Sequence, residues 1–156
     1  LSTMLGEGSS SRLFQAVREK LGITYQINSF LNSYQDVSAF GVYFSTSSRQ
    51  ADRVMEIVEK EFRKMKEKKV TEKELSRVKE YIKGGMLLSL ESTTNRMIRI
   101  ANSFLYFNRI VPLDEFIKKI DSVTVDDITA VANELLNEKK LSKVILTSNV
   151  AARSTS

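Results

Sequence analysis

Two short runs of alternating apolar residues before residue 46, followed by a long stretch of helical spacing, limit the folds open to this chain. Between Ile23 and Phe44 the period is two. Ile23, Tyr25, Ile27, Ser29 and Leu31 share one face of an extended run, and Thr24, Gln26, Asn28 and Phe30 share the other. Tyr34, Gln35 and Asp36 supply a turn. A second run over roughly 38–46 then alternates Phe40, Val42 and Phe44 with Ala39, Gly41 and Tyr43. Two alternating runs joined by a short turn predict an antiparallel hairpin.

Beyond Ser47 the period is helical. A capping box is expected at Ser47 and Gln50, ahead of Ala51, Val54, Val58, Phe62 and Met65. A second box at Thr71 and Glu74 opens a helix with Leu75, Val78 and Ile82, in which Gly84 and Gly85 signal a kink or a close approach by another element. Ser92 or Thr93 caps a third long helix, with Met97, Ala101, Phe104 and Leu105 expected inward, and the single proline, Pro112, breaks it. A short helix over roughly 113–120 follows. Thr124 with Asp127 caps the last, which carries Ile128, Val131 and Leu135. Leu141 to Thr147 alternates weakly and reads as a closing strand. At the other end, Gly6 to Ser11 forms a Gly/Ser turn into a short helix over roughly 10–20 with Leu13, Phe14 and Val17 inward, stopped at Leu21-Gly22.

This order predicts an α+β fold: an antiparallel sheet of three visible strands with helices packed on one face. Without a linker rich in Pro, Gly or Ser, the whole of 1–156 reads as a single domain. Three strands are few for so many helices. With Leu1 in place of an initiator Met, the expectation is a piece of a longer chain whose further strands lie upstream.

Composition decides which chemistry is open. The chain has no His and no Cys. Imidazole bases, thiolate nucleophiles, disulfides and His- or Cys-ligated zinc are therefore outside its means. Most familiar hydrolase mechanisms cannot be completed by this sequence alone, and no metal site is assigned to it. The lack of cysteine and of a signal-peptide pattern points to a reducing, cytoplasmic setting. No apolar run approaches the roughly 20 residues of a membrane span.

The net charge of +5 permits an anionic partner. The basic run Arg63 to Lys69 is the strongest candidate. It is interrupted by Glu67, carries no interleaved aromatics, and sits where cations offset a helix dipole. A basic nucleic-acid-binding module is thus a rival reading, and no nucleic-acid partner is assigned. Gly6 to Ser11 resembles a phosphate cradle only loosely, lacking both the P-loop ending and the third Rossmann glycine. The pairs Asp114-Glu115 and Asp126-Asp127 fall in first helical turns and are assigned to capping. Arg18 and Tyr25 flank the Leu21-Gly22 reversal. An Arg fork and a Tyr hydroxyl on one edge are a donor set for a carbonyl, a carboxylate or a developing oxyanion. A solvated Arg beside a half-buried strand Tyr is the plainer account.

Leu5 to Tyr25, LGEGSSSRLFQAVREKLGITY, resembles the Gly-rich, Ser-Arg-Leu-Phe, Arg-Glu-Lys, Gly-x-x-Tyr segment of the M16 zinc metallopeptidases, the pitrilysin, insulysin and mitochondrial processing peptidase family. Val70 to Met97 is similar to a helical segment of that family's second half, and Ile120 to Leu136 to its closing helix. The resemblance implies one of two α+β halves that close around a peptide. The zinc motif His-x-x-Glu-His belongs to the first half. Its absence here identifies this chain with the second, metal-free half, truncated at its N-terminus.

By motif match, Arg18 and Tyr25 are the catalytic and substrate-binding residues that reach the scissile carbonyl. Zinc is expected in the N-terminal half of a parent endopeptidase. The implied partners are that zinc-bearing half and a peptide substrate, and the isolated piece is expected to be inactive and to self-associate. Glu7 and Ser9 depart from the family pattern, as does Leu21, while Arg18 and Tyr25 match. A non-catalytic M16-like structural or peptide-presenting subunit is the alternative within the same family.

Overall fold

The structure, a computed structural model, describes residues 1–147. A short helix α1 (Ser2–Gly6) is followed by a helical segment whose last part, Phe14–Glu19, is π-wound. Then come β1 (Gln26–Ser33) and β2 (Ser38–Ser45). Four longer helices follow: α2 (Ala51–Glu67), α3 (Glu72–Ser89), α4 (Thr93–Phe107) and α5 (Leu113–Ser122). Helix α6 (Val125–Leu135) and a 3-10 turn at Glu138–Lys140 close the described chain. The α+β class is as expected, with helices against one face of an antiparallel sheet.

β1 and β2 pair in one register, Ile27 opposite Phe44, Ser29 opposite Val42 and Leu31 opposite Phe40. The Ile27–Phe44 face turns to the core, where Ile27 is buried and Val42 and Phe44 pack at its margin. On the outer face Phe30 lies opposite Gly41, and a Cβ at Gly41 would meet the Phe30 ring at 2.5 Å. The aromatic ring thus covers the glycine and makes good the side chain it lacks. Under the sheet sit Met4 and Leu5 of α1, Leu13 and Val17, the α2 stripe Val54, Val58, Phe62 and Met65, Leu75 of α3, and Ile128, Ala132 and Leu136. α1 comes so close to β1 that a Cβ at Gly6 would stand 2.3 Å from the Ser29 backbone nitrogen. Ser2 Oγ donates to Ser29 Oγ at 3.0 Å, and Ser29 Oγ donates to Ser2 O at 2.8 Å. This first helix is too short for a periodic signal and is not legible in the sequence.

Several expectations are corrected. Among the described residues the sheet has two strands, not three. Among the described residues Leu141 to Leu146 lies in no strand ladder, and Val144 and Leu146 are 90% and 97% exposed. β-propensity fills an extended run, but only a neighbouring ladder makes it a strand.

The capping box at Ser47 does not form. Gln50 is the N-cap of α2 without a side-chain bond, because residues 47–50 close a backbone turn, Gln50 N to Ser47 O at 2.9 Å. At α3 half the box forms. Thr71 Oγ1 accepts from Glu74 N, but the Glu74 carboxylate turns to Arg12. At α6 the box is complete. The hydrogen bonds of Thr124 to Asp127 also hold the Asp127 carboxyl below its ordinary value.

Gly84 and Gly85 face open space, with no element in close approach, and α3 continues unbroken through them. α4 stops before Pro112, at Asn108 in the left-handed conformation (φ 52°). Pro112 instead caps α5, and the loop between is held by Ser103 Oγ donating to Arg109 O and by Arg99 Nη2 donating to Val111 O, each at 2.8 Å. Met97, Ala101, Phe104 and Leu105, expected inward, are exposed, as are Val131 and Leu135 on α6. Only Ser103 of α4 is buried, and no residue of α5 is.

Candidate functional site

Arg18 and Tyr25 lie on either side of the turn that ends the first core helix. Leu13 and Val17 are fully buried and fix the inward face of that helix. Winding into a π-turn, with Lys20 N donating to Gln15 O at 3.2 Å, leaves Arg18 on the outside of its last turn. The guanidinium lies over the Phe14 ring, 4.9 Å from its centroid. This contact restrains a flexible cation without using any of its N–H donors. The i, i+4 spacing of Phe14 and Arg18 is its sequence signal. Phe14 is accordingly half-buried as a platform, whereas the sequence placed it wholly in the apolar stripe.

Gly22 makes the reversal. Its φ is +62°, and its N–H donates to Arg18 O at 3.0 Å, which ends the helix in a left-handed cap. The chain then meets the end of β2. Thr24 Oγ1 lies 2.7 Å from Ser45 O and 2.8 Å from Gln26 O, Tyr25 N donates to Ser45 O at 3.2 Å, and Thr46 Oγ1 donates to Ile23 O. Thr24 is therefore buried and Tyr25 is thrown outward, 86% exposed. This corrects the alternation read from the sequence, in which Tyr25 shared a face with Ile27. The period slips by one residue at 24–26, because Thr24 turns inward to satisfy Ser45 O.

The backbone on both sides is thus pinned, and two donor side chains stand clear of it. Among the described residues no hydrogen bond engages the Tyr25 hydroxyl or the Arg18 guanidinium, and none joins the two. Free donors of this kind stabilise negative charge that develops on an oxygen. They supply neither a nucleophile nor a base.

The other candidates do not form sites. The hollow beside the Gly/Ser turn, lined by Glu7, Ser10, Arg77 and Tyr81, encloses about 10 Å³, too little for a phosphate. Gly8 (φ +81°) and Gly6 serve the close passage of Tyr81 and Ser29. Within the basic run, Met65 is buried, Lys64 pairs with Glu61 at 2.6 Å and Lys69 with Asp126 at 2.7 Å. A cavity of about 420 Å³ between Leu87, Arg96, Arg99 and Leu113 includes neither Arg18 nor Tyr25. No group of three acidic side chains suited to a metal ion occurs among the described residues, and with no His or Cys in the sequence this chain's donors do not fit zinc. No helix among the described residues is long and apolar enough to cross a membrane.

Comparison with known proteins assigns these features a lineage. The chain is 35% identical over 138 residues to YmxG of Bacillus subtilis, an uncharacterized zinc protease, covering 88% of this chain and 34% of that one. It is 37% identical over 145 residues to an uncharacterized zinc protease of Streptomyces coelicolor, covering 93% and 32%. It thus spans about a third of the length of the curated relatives it matches. Among solved structures, a protease from Helicobacter pylori superposes with a TM-score of 0.75 at 27% identity, covering 85% of this chain and 32% of that one. A peptidase M16 inactive domain from Pseudomonas fluorescens superposes with a TM-score of 0.72 at 25% identity, covering 87% and 32%. The family model described as the peptidase M16 inactive domain matches residues 1–82, the stretch that holds Arg18, Gly22 and Tyr25, and the chain belongs to that family.

Proposed function

We propose that residues 1–156 form one domain, the C-terminal, substrate-clamping half of an M16-type zinc metalloendopeptidase. In this reading Arg18 and Tyr25 donate hydrogen bonds to the scissile carbonyl of a bound peptide and to the oxyanion that develops from it. The zinc is carried by an N-terminal half, and when bound it supplies the hydrolytic chemistry that this chain lacks. By itself the chain holds and orients peptide and hydrolyses none. Cytoplasmic residence, expected from the cysteine-free composition, belongs to the same reading.

One observation carries the proposal: two exposed donors without hydrogen-bond partners among the described residues, on a rigidly pinned reversal, inside the segment matched by the family model. An exposed Arg and Tyr gain little stability from such a placement. Their use lies in an acceptor that arrives from outside. Fixed donors also pay no reorganisation cost when charge develops.

The test uses the protein with both halves and its zinc. Arg18→Ala or Tyr25→Phe lowers kcat by ~10–10³-fold, the scale for loss of one oxyanion donor, and leaves the zinc content unchanged. Unaltered turnover in both variants sinks the assignment. The apolar surface of α4, with Met97 63% and Leu105 76% exposed, calls for cover by that other half, and in its absence drives self-association of the isolated chain. Sedimentation checks this, and a strict monomer at high concentration counts against it.

A further inference from the structure

We propose that Arg12 and Glu74 are a positioning pair that sets the helix carrying Arg18, and so the aim of its guanidinium. The inference rests on the catalytic reading of Arg18 given above.

Arg12 Nε and Nη2 donate to Glu74 Oε1 and Oε2, each at 2.8 Å, a fork-to-fork contact between residues 62 apart in sequence. Both side chains are largely covered, 21% and 19% exposed. Geometry of this kind fixes direction as well as distance, which a lysine or a single contact cannot do. It is also formed at a local cost. Glu74 stands at the third position of α3, where its carboxylate is placed to return to the Thr71 N–H and complete the box. Asp127 does so at the start of α6, accepting from Thr124 N at 2.8 Å. Glu74 leaves that bond unmade and reaches across to Arg12.

The surrounding charges favour the same pairing. Glu61 of α2, only 6% exposed, adds attraction for the Arg12 guanidinium, and Arg12 together with Arg77 holds the Glu74 carboxyl below its ordinary value. Arg12 begins the helical segment whose last turn presents Arg18, six residues on. The apolar contacts of Leu13 and Val17 set which face of that segment is buried. They are non-directional, and leave its rotation and slide to be fixed by something directional. The fork to α3 supplies such a constraint at the start of the segment, as the bond from Gly22 N to Arg18 O does at its end. A clamp about one ångström out of place loses as much as a hundredfold in rate.

The experiment is a double-substitution cycle in the zinc-loaded protein with both halves, assayed on an internally quenched peptide. Glu74→Gln is expected to lower kcat ~10- to 100-fold with KM nearly unchanged. In an Arg18→Ala background the same substitution is expected to cost less than twofold, because it acts through a side chain no longer present. Should Glu74→Gln fail to fold, Arg12→Lys, which keeps the charge and loses the fork, takes its place in the cycle. If Arg18→Ala is costly and the Glu74 effect is just as large with or without Arg18, the pair is merely structural and the inference fails alone. If Arg18→Ala is silent, the catalytic reading fails and takes the inference with it.

Discussion

Gly6 offers a clean measure of how tightly α1 is fitted to the sheet. Replacing it with Ala adds one methyl group to a helical backbone that accepts alanine readily, so only space is at issue. The added Cβ would stand 2.3 Å from Ser29 N and 2.9 Å from Ser29 Cβ and Oγ. Backbone lies on one side and a buried side chain on the other, so the helix must move away from the strand. Overpacking of this kind costs about 1–3 kcal/mol. The displacement also strains the two Ser2–Ser29 hydrogen bonds, worth ~0.5–1.5 kcal/mol each. Against this stands a helix-propensity gain of about 1 kcal/mol. The net loss is about 1–5 kcal/mol, or a fall in Tm of roughly 2–20 °C for a chain of this size. Gly85→Ala is the control. It is the same substitution in an exposed helix interior, with nothing within 4 Å of the new atom, and it is expected to stabilise by about 0.5–1 kcal/mol. Thermal unfolding followed by helical circular dichroism reads both. Equal shifts in the two variants, or a rise in Tm for Gly6→Ala, would refute the close approach of α1 to β1.

Three further outcomes can be measured. Leu13→Ala, at a fully buried position in the helix that leads to Arg18, is expected to cost about 2–5 kcal/mol in urea unfolding, and a loss below 1 kcal/mol contradicts the core described here. Thr71→Ala is expected to cost about 1 kcal/mol and Thr124→Ala more, because only the second opens a complete capping box; equal losses would mean the box adds nothing. The fork from Arg109 holds the Glu115 carboxyl at about 2 rather than 4.5, so the stability it contributes is fully present above pH 4.5 and fades as pH falls toward 2. The gap in Tm between the wild type and Glu115→Gln should therefore close with acid, and a carboxyl carbon titration midpoint near 4.5 would disprove the pairing.

Alternation and helical period located the elements well where a second surface lies against them. Ile27, Val42 and Phe44 pack as their parity demands, and Val54, Val58, Phe62 and Met65 line the buried face of α2 as their spacing does. Met97, Phe104 and Leu105 keep the same helical spacing and face solvent. Periodicity reports which residues share a face. It does not report whether anything rests on that face. Leu141 to Thr147 fails for the matching reason, since strand-forming composition carries no information about a missing neighbour. Tyr25 was misplaced by one local competition, the bond of Thr24 to Ser45 O, which reverses the parity of the run. The Arg12–Glu74 fork joins positions 62 residues apart and leaves no local mark in sequence. Arg18 and Tyr25 stand out by family resemblance and a shared reversal, whereas the residues by themselves favour the plainer account of a solvated Arg beside a half-buried strand Tyr.

Burial in this molecule is lopsided. Residues up to Leu75, with α6, supply nearly all of the buried core, whereas α4 buries only Ser103 and α5, with Phe116, Ile117 and Ile120 no more than half-buried, is tied to α3 by Lys83 to Asp121 at 2.8 Å. Links of that sort weaken as mobile ions screen them, while apolar burial does not. Cooperativity is then uneven. Amide exchange is expected to open the α4–α5 layer before the hairpin and α2, along a boundary that runs through the middle of α3, and rising ionic strength to widen that difference.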